Sequence, residues 1–383
     1  MQPTQVNYFT PSEELLAVSL ELSSGSWKIA LHDGRRDKPA VHTVASEQPG
    51  KRLAEASAVI EATKKKWGLT EQARIVVIYE AGQDGFWIQR ALSAQGCEVM
   101  VVAPASIPVE RRARRAKTDR LDAIRLVTSL MGWLRGERDR MHAISVPAAE
   151  AEAQRQLARD RGELQKEVGQ HRDRIRKLLR TVGCWDSVEG KFAKRLEQSA
   201  VLCHDGQPLP EQLQARLERE CKRLALAEEQ LAELEKSLVK ELPEAVQKRI
   251  KQLTALKGVG QVGALRLVLE LYWRDFDNRR QVGSCVGLVP QPYDSGESRV
   301  DQGISKQGNR RVRALLIEMS WLWLRYQPES ALAKWFTLRT GSNAKNKRGK
   351  RIAIVAVARR LAIALWRYLK NGTIPDGAAL KAA

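Results

Sequence analysis

Between Leu15 and Val102, short apolar, β-branched runs alternate with segments of helical spacing, a pattern that suits a mixed sheet with helices packed on it. Leu15 to Leu22 and Trp27 to Leu31 read as strands, and Ser23-Ser24-Gly25-Ser26 between them signals a hairpin. Lys51 to Trp67 has helical spacing. Arg74 to Tyr79 (Arg-Ile-Val-Val-Ile-Tyr) suits a buried strand, and Glu98 to Val102 forms another after a helix from Trp87 to Ala94. Residues 13–145 are therefore expected to be an α/β domain.

From about Glu150 to Leu242 the composition shifts to Glu, Arg, Lys, Gln, Leu and Ala. Leu157, Leu164, Val168, Ile175 and Leu178 make one apolar stripe, and Leu217, Cys221, Leu224, Leu231 and Leu238 make another at heptad-like spacing. Breakers between Gly183 and Pro210 separate them. Residues 150–242 thus read as an antiparallel coiled-coil hairpin, whose charged faces are solvated surface or a seam between protomers. After Pro243, a mainly helical domain over 245–383 opens with Leu253 to Ala264 (Leu-Thr-Ala-Leu-Lys-Gly-Val-Gly-Gln-Val-Gly-Ala), a helix-hairpin-helix turn whose glycines allow tight geometry beside a helix start.

Four acids carry the chemistry. On this reading Glu21 and Glu80 sit at the ends of strands, where α/β sheets bind ligands, and Asp119 and Asp122 share one face of a helix that opens in Lys117-Thr118-Asp119-Arg120-Leu121-Asp122-Ala123 and runs to Leu134. Such a set can share Mg²⁺ while Arg111, Arg112, Arg114, Arg115 and Lys117 hold phosphate. The plainer alternatives are solvated strand-end acids and an Arg115–Asp119 helix pair. Five scattered cysteines without a CxxC pair argue against a zinc knuckle or a disulfide framework and read as reduced, mostly buried thiols, so any metal here is a hard cation on oxygen.

With 65 Lys and Arg against 45 Asp and Glu, the formal charge of +20 favours a polyanionic partner over a small acidic substrate. The start of the chain lacks a signal-peptide pattern, and no apolar run approaches the ~20 residues that cross a bilayer, so a cytoplasmic protein is expected. From Ser330 to Pro375 there is no acid, while Lys345, Lys347, Arg348, Lys350, Arg351 and other bases interleave with Trp335, Phe336, Trp366 and Tyr368. That mixture favours backbone binding with stacking on unpaired bases. Upstream, Ser295-Gly296 follows Gly287-Leu288-Val289-Pro290 in a Gly- and Pro-bounded loop and precedes Lys306-Gln307-Gly308-Asn309-Arg310-Arg311-Val312-Arg313. A hydroxyl so placed can meet a phosphate whose charge arginines stabilise. A Ser-Gly pair is otherwise an ordinary turn.

In this order, Glu21, Tyr79-Glu80-Ala81-Gly82, Lys117-Thr118-Asp119-x-x-Asp122, the helix-hairpin-helix, Gly287-Leu288-x-Pro290, Ser295-Gly296 and Gly308-Asn309-Arg310 resemble the DEDD transposases of insertion sequences that recombine DNA under the guidance of a bridge RNA. The resemblance covers nearly the whole chain. It implies an RNase H/RuvC-like domain holding Mg²⁺ (or Mn²⁺) on Glu21, Glu80, Asp119 and Asp122, a coiled-coil linker, and a transposase domain with Ser295 as nucleophile. It further implies a structured guide RNA that pairs with target and donor DNA, dimers that assemble to a tetramer, and action at the bacterial nucleoid. One departure is Glu21 in Leu20-Glu21-Leu22-Ser23, where the family usually has Asp, so the carboxylate reaches one methylene further.

The mechanism this implies is strand exchange through a phosphoserine at Ser295, activated with help from the metal-bound carboxylates, with Lys306, Arg310, Arg311 and Arg313 near the attacked phosphate by proximity in sequence. A RuvC-like nuclease would instead use the acids to activate water and leave Ser295 a turn residue. A non-catalytic RNA- or DNA-binding scaffold explains the charge but not the ordered acids. Tyr293 is the competing nucleophile of a tyrosine recombinase.

Overall fold

The structure, a computed structural model, describes residues 14–107, 118–296, 298–341 and 347–382. The chain forms two compact units, Met1–Ala148 and Ala149–Ala383.

In the first, β1 (Leu15–Leu22), β2 (Trp27–His32), β3 (Ala40–Val44), α1 (Pro49–Lys66), β4 (Arg74–Glu80), α2 (Trp87–Ala94), β5 (Glu98–Val102) and α3 (Asp119–Leu134) follow in that order. The sheet runs β3-β2-β1-β4-β5, with β1 antiparallel to β2 and parallel to β4. It is therefore mixed. Side chains alternate across it: Leu16, Val18, Leu20, Val77 and Tyr79 pack in a core with residues of α1 and α2, whereas Leu15, Ala17, Val76 and Ile78 pack with Ala123, Leu126, Val127 and Leu130 of α3. The turn after β1 is pinned from inside: Arg52, only 4% exposed, donates to the carbonyls of Ser23, Ser24 and Ser46 at 3.0, 3.1 and 2.8 Å.

The second unit comprises α4 (Ala149–Arg180), α5 (Phe192–Glu197), α6 (Glu211–Ser237), α7 (Glu244–Thr254), α8 (Gln261–Glu270), α9 (Arg279–Cys285), the hairpin β6 (Pro290–Ser295) and β7 (Ser298–Ile304), then α10 (Arg310–Tyr326), α11 (Ala331–Thr340) and α12 (Lys347–Asn371). The long helices α4 and α6 run antiparallel, since Arg161, Arg172 and Arg174 pair with Glu235, Glu228 and Glu220 in descending order. Val168, Ile175 and Leu179 meet Leu217, Cys221 and Leu224 between them. Within that seam Glu220 is buried. Burial pushes its carboxyl up, but bonds from His171 and Arg174 outweigh that and hold it below the usual carboxylate range.

The turn from α7 to α8 has the expected glycine geometry, with Gly258 at φ +81° and Gly260 as the extended N-cap of α8. A later segment closes over it: Lys257 N–H donates to Ala379 O, Lys381 N–H to Ala255 O, and the buried Gln327 amide bonds both Lys257 O and Ala379 O. All five cysteines are free. Cys184 and Cys221 are buried, while Cys97, Cys203 and Cys285 are only half-buried, which corrects the expectation that most would be buried. Among the described residues no helix is long and apolar enough to cross a membrane.

Candidate functional site

Strand parity and two ties from α3 place the four acids. Ser19 Oγ donates to Ala123 O at 2.7 Å, so the odd side chains of β1 face α3 and Glu21 lies on that side, one step past Ser19. On β4, which pairs Tyr79 with Leu20, Glu80 follows Val76 and Ile78 on the same side. The other end of α3 lies near the start of β1: Arg135 is close enough to His32, the register partner of Ala17, to help lower its pKa after burial, the larger cause. Thus α3 runs back along β1, and its first turn, carrying Asp119 and Asp122, lies toward Glu21 and Glu80 at the carboxyl ends of two adjacent parallel strands.

Local chemistry holds that turn. Thr118 caps it by accepting from Leu121 N–H, and acids in a first turn complement the helix dipole. Asp122 also accepts from Arg125 at 2.8 Å, while Asp119 is exposed. Lys28, opposite Glu21 across the hairpin, donates to Thr43. Carboxylate oxygens are the right donors for a hard cation. Among the described residues, however, no three His, Cys, Asp or Glu side chains stand within reach of one metal ion, so side-chain rotation would have to bring these acids together.

In the second unit Ser295 ends β6 at the exposed tip of a hairpin, pairing with Ser298, and not within an irregular loop as expected from its Gly and Pro neighbours. Adjacent Gly296 takes φ +56°. The base of the hairpin is an interlock. A Cβ on Gly287 would lie 1.9 Å from Gln307 O, and one on Gly308 2.2 Å from Cys285 O, so the two glycine blocks press backbone to backbone where no other residue fits. Three backbone bonds tie them: Ser305 N–H to Val289 O, Lys306 N–H to Gly287 O and Asn309 N–H to Cys285 O. Asn309 then caps α10 through its Oδ1, and its amide donates at 3.0 Å to Glu270, a carboxylate only 4% exposed. Burial works to raise the Glu270 pKa, but Arg159 at 3.0 Å, with Asn309, holds it below the usual range.

Residues 250–334 match the family described as Transposase IS116/IS110/IS902, and residues 38–183 match the DEDD transposase domain of the IS110 type. A relative from Sinorhizobium fredii, y4rJ, which bears a transposase's name, is 39% identical over 375 residues, covering 95% of this chain and 94% of its own. The chain belongs to the IS110 family of insertion-sequence transposases. More distant are the transposase for insertion sequence element IS1328 of Yersinia enterocolitica, 24% identical over 78% of this chain and 85% of its own, and that for IS1533 of Leptospira borgpetersenii, 24% identical over 76% and 80%. DNA transposition is the family's activity. The first match includes Ser295; the second includes Glu80, Asp119 and Asp122 and begins after Glu21.

The expected phosphate-binding residues of this transposase divide. Arg111, Arg112, Arg114, Arg115, Lys117 and Lys345 lie outside the described residues. Lys306, with φ +56°, and Arg310 are exposed beside the interlock, as are Lys347, Arg348 and Arg351 on the first turns of α12, with Lys350 half-buried. Arg311 pairs with Glu163 at 3.2 Å, and Arg313 donates to Val286 O at 3.1 Å, so both also serve the fold. The stacking expectation needs correction. Tyr368 is 7% exposed in the core, and the rings of Trp335 and Trp366 are already covered by Arg360 and Lys370 at 4.0 and 5.2 Å.

Glu270 was missed in the sequence because it follows the apolar run Leu267 to Leu269, and its partners lie 111 residues before and 39 after. A lone acid at the end of the apolar run that closes α8 was the available signal.

Proposed function

We propose that this transposase is an RNA-guided DNA recombinase that exchanges strands through a phosphoserine at Ser295. The observation that carries the reading is the exposed Ser295 at the tip of a hairpin whose base is fixed by Gly287, Gly308 and the capped start of α10. In the step itself Ser295 Oγ bonds to a DNA phosphorus, the P–O3′ bond breaks, the serine proton is lost to solvent and the leaving 3′ oxygen takes a proton from solvent to become a hydroxyl. The ester keeps the bond energy for rejoining. Lys306 and Arg310, exposed beside the hairpin base, hold backbone phosphate.

Glu21, Glu80, Asp119 and Asp122, on one side of a RuvC-like sheet, would hold Mg²⁺ or Mn²⁺, which supplies charge neutralisation at phosphate. The formal charge of +20 supports both DNA and a guide RNA as partners, and the resemblance supports a dimer that assembles to a tetramer. To test the serine, wild type is trapped on nicked DNA and the modified peptide mapped by mass spectrometry. A Ser295 adduct that Ser295→Ala lacks, while still binding DNA, is expected. An adduct on Tyr293, or metal-dependent cleavage by Ser295→Ala with no adduct in wild type, would overturn the serine mechanism.

A further inference from the structure

Near Glu270 the second unit gathers more positive charge and more hydrogen-bond donors than its own residues satisfy. Arg155 and Arg159, one turn apart on α4, share a face. Trp273 and Arg274 follow α8. The guanidiniums of Arg155 and Arg274 both lie over the Trp273 ring, at 5.3 and 4.8 Å from its centre, so two like charges stand against one indole. Glu270, the carboxylate hydrogen-bonded here, is already engaged by Arg159 and Asn309.

Three donors are thereby left over. Arg155 Nε, Arg274 Nε and Trp273 Nε1 are buried and have no hydrogen-bond partner among the described residues. Each buried, unmet donor costs about 1–3 kcal/mol. Burial, followed by the charges of Arg159 and Arg274, pulls the Arg155 pKa down against the favourable pull of Glu270 and Glu152. A fold that tolerates this arrangement is relieved by an oxyanion with several acceptor oxygens. Phosphate fits better than carboxylate, because its tetrahedral oxygens can take N–H groups from two guanidinium planes and an indole at once.

We propose that Arg155, Arg274 and the Trp273 indole form a binding site for one backbone phosphate of DNA. Through Glu270 and Asn309 the site connects to the N-terminus of α10 and hence to the base of the Ser295 hairpin. Five residues of strand separate that base from its tip, roughly 17 Å. The phosphate held here is therefore not the one that Ser295 attacks but one further along the strand, and holding it fixes which phosphate reaches the tip.

The proposal rests on the family's DNA transposition and not on the serine step, so the test reads binding. The full chain and its Arg155→Gln and Arg274→Gln variants are titrated against a labelled duplex by fluorescence anisotropy between about 50 and 200 mM salt. The double variant should lower the slope of log K against log salt by about 0.9, the value for one lost phosphate contact. Each single variant should lower it by less, because the two arginines share one phosphate. Without DNA, both single variants should melt no lower than wild type, since each removes a like charge. Unchanged slopes with lowered melting temperatures would make the arginines props of the fold and overturn the proposal. Inorganic phosphate that stabilises wild type, but neither variant, with unchanged DNA slopes would assign the site to free phosphate and equally refute a DNA contact. Ser295→Ala, measured alongside, should keep the full slope, so failure of the serine mechanism stays distinguishable.

Discussion

Replacing Gly287 by Ala tests whether the interlock under the hairpin is what seats Ser295. At φ +65° an alanine costs about 1–2 kcal/mol from the left-handed backbone alone. The methyl would also stand 1.9 Å from Gln307 O, against a floor of 3.0 Å for real Cβ contacts, so that carbonyl must retreat by more than 1 Å. Retreat loosens the Lys306 N–H bond to Gly287 O and disturbs the Asn309 cap, each worth about 1 kcal/mol. Gly303→Ala is the matched control, with φ +82° and nothing within 4 Å of the new methyl. The two variants should differ by about 2–3 kcal/mol, which for a unit of this size is roughly 4–12 °C in melting temperature. Differential scanning calorimetry of the full chain reads the difference. Gly287→Ala should also lose most strand exchange, because a shift of about 1 Å in a reacting group costs on the order of a hundredfold. Equal melting temperatures for the two variants would refute the interlock.

Asp119→Ala and Asp122→Ala should each abolish strand exchange in Mg²⁺ buffer yet stay within about 1 kcal/mol of wild type in urea unfolding, since the Arg125 pair is a surface one; wild-type exchange by either variant would remove that acid from the site. Glu220 has a lowered pKa in the folded chain, so its stabilising contribution is present above the ordinary glutamate value of about 4.3 and is lost as pH falls through the folded value. Glu220→Gln should therefore lower the melting temperature at neutral pH and flatten its fall below about pH 4.3, and an unchanged acid limb would assign that limb to other carboxylates. Substituting Lys347, Arg348, Lys350 and Arg351 together by Gln should weaken DNA binding and reduce its salt dependence, whereas an unaltered slope would make the start of α12 plain solvated surface.

The first unit was legible where its strands are buried on both faces. Arg74 to Tyr79 and Glu98 to Val102 are continuous apolar runs, and the observed β4 and β5 match them within a residue. β3 escaped because its middle residues, His42 and Thr43, are exposed at a sheet edge, where no apolar run is required. β6 escaped for a related reason: Pro290 and Pro292 read as breakers, but β6 is exposed along its whole length in a two-stranded hairpin, which tolerates proline on its free edge. The four acids were visible as residue types in order, while their common side followed only from strand parity and the direction of α3. The guanidinium cluster on Trp273 was beyond reach in the sequence, because Arg155 and Arg274 are brought together only when α4 packs on α8.

The span of the Glu270 contacts also sets an order in time. A ribosome delivers Arg159 long before Glu270, and Asn309 only after 39 further residues, about 2–8 s later at ordinary elongation rates. Through that interval the hairpin strands emerge while the cap that will hold their base is still unmade. A chain cut short within β7 would thus carry the four acids and α4 but leave Ser295 on a hairpin with no fixed base, so the proposed nucleophile is seated only once synthesis has passed Asn309.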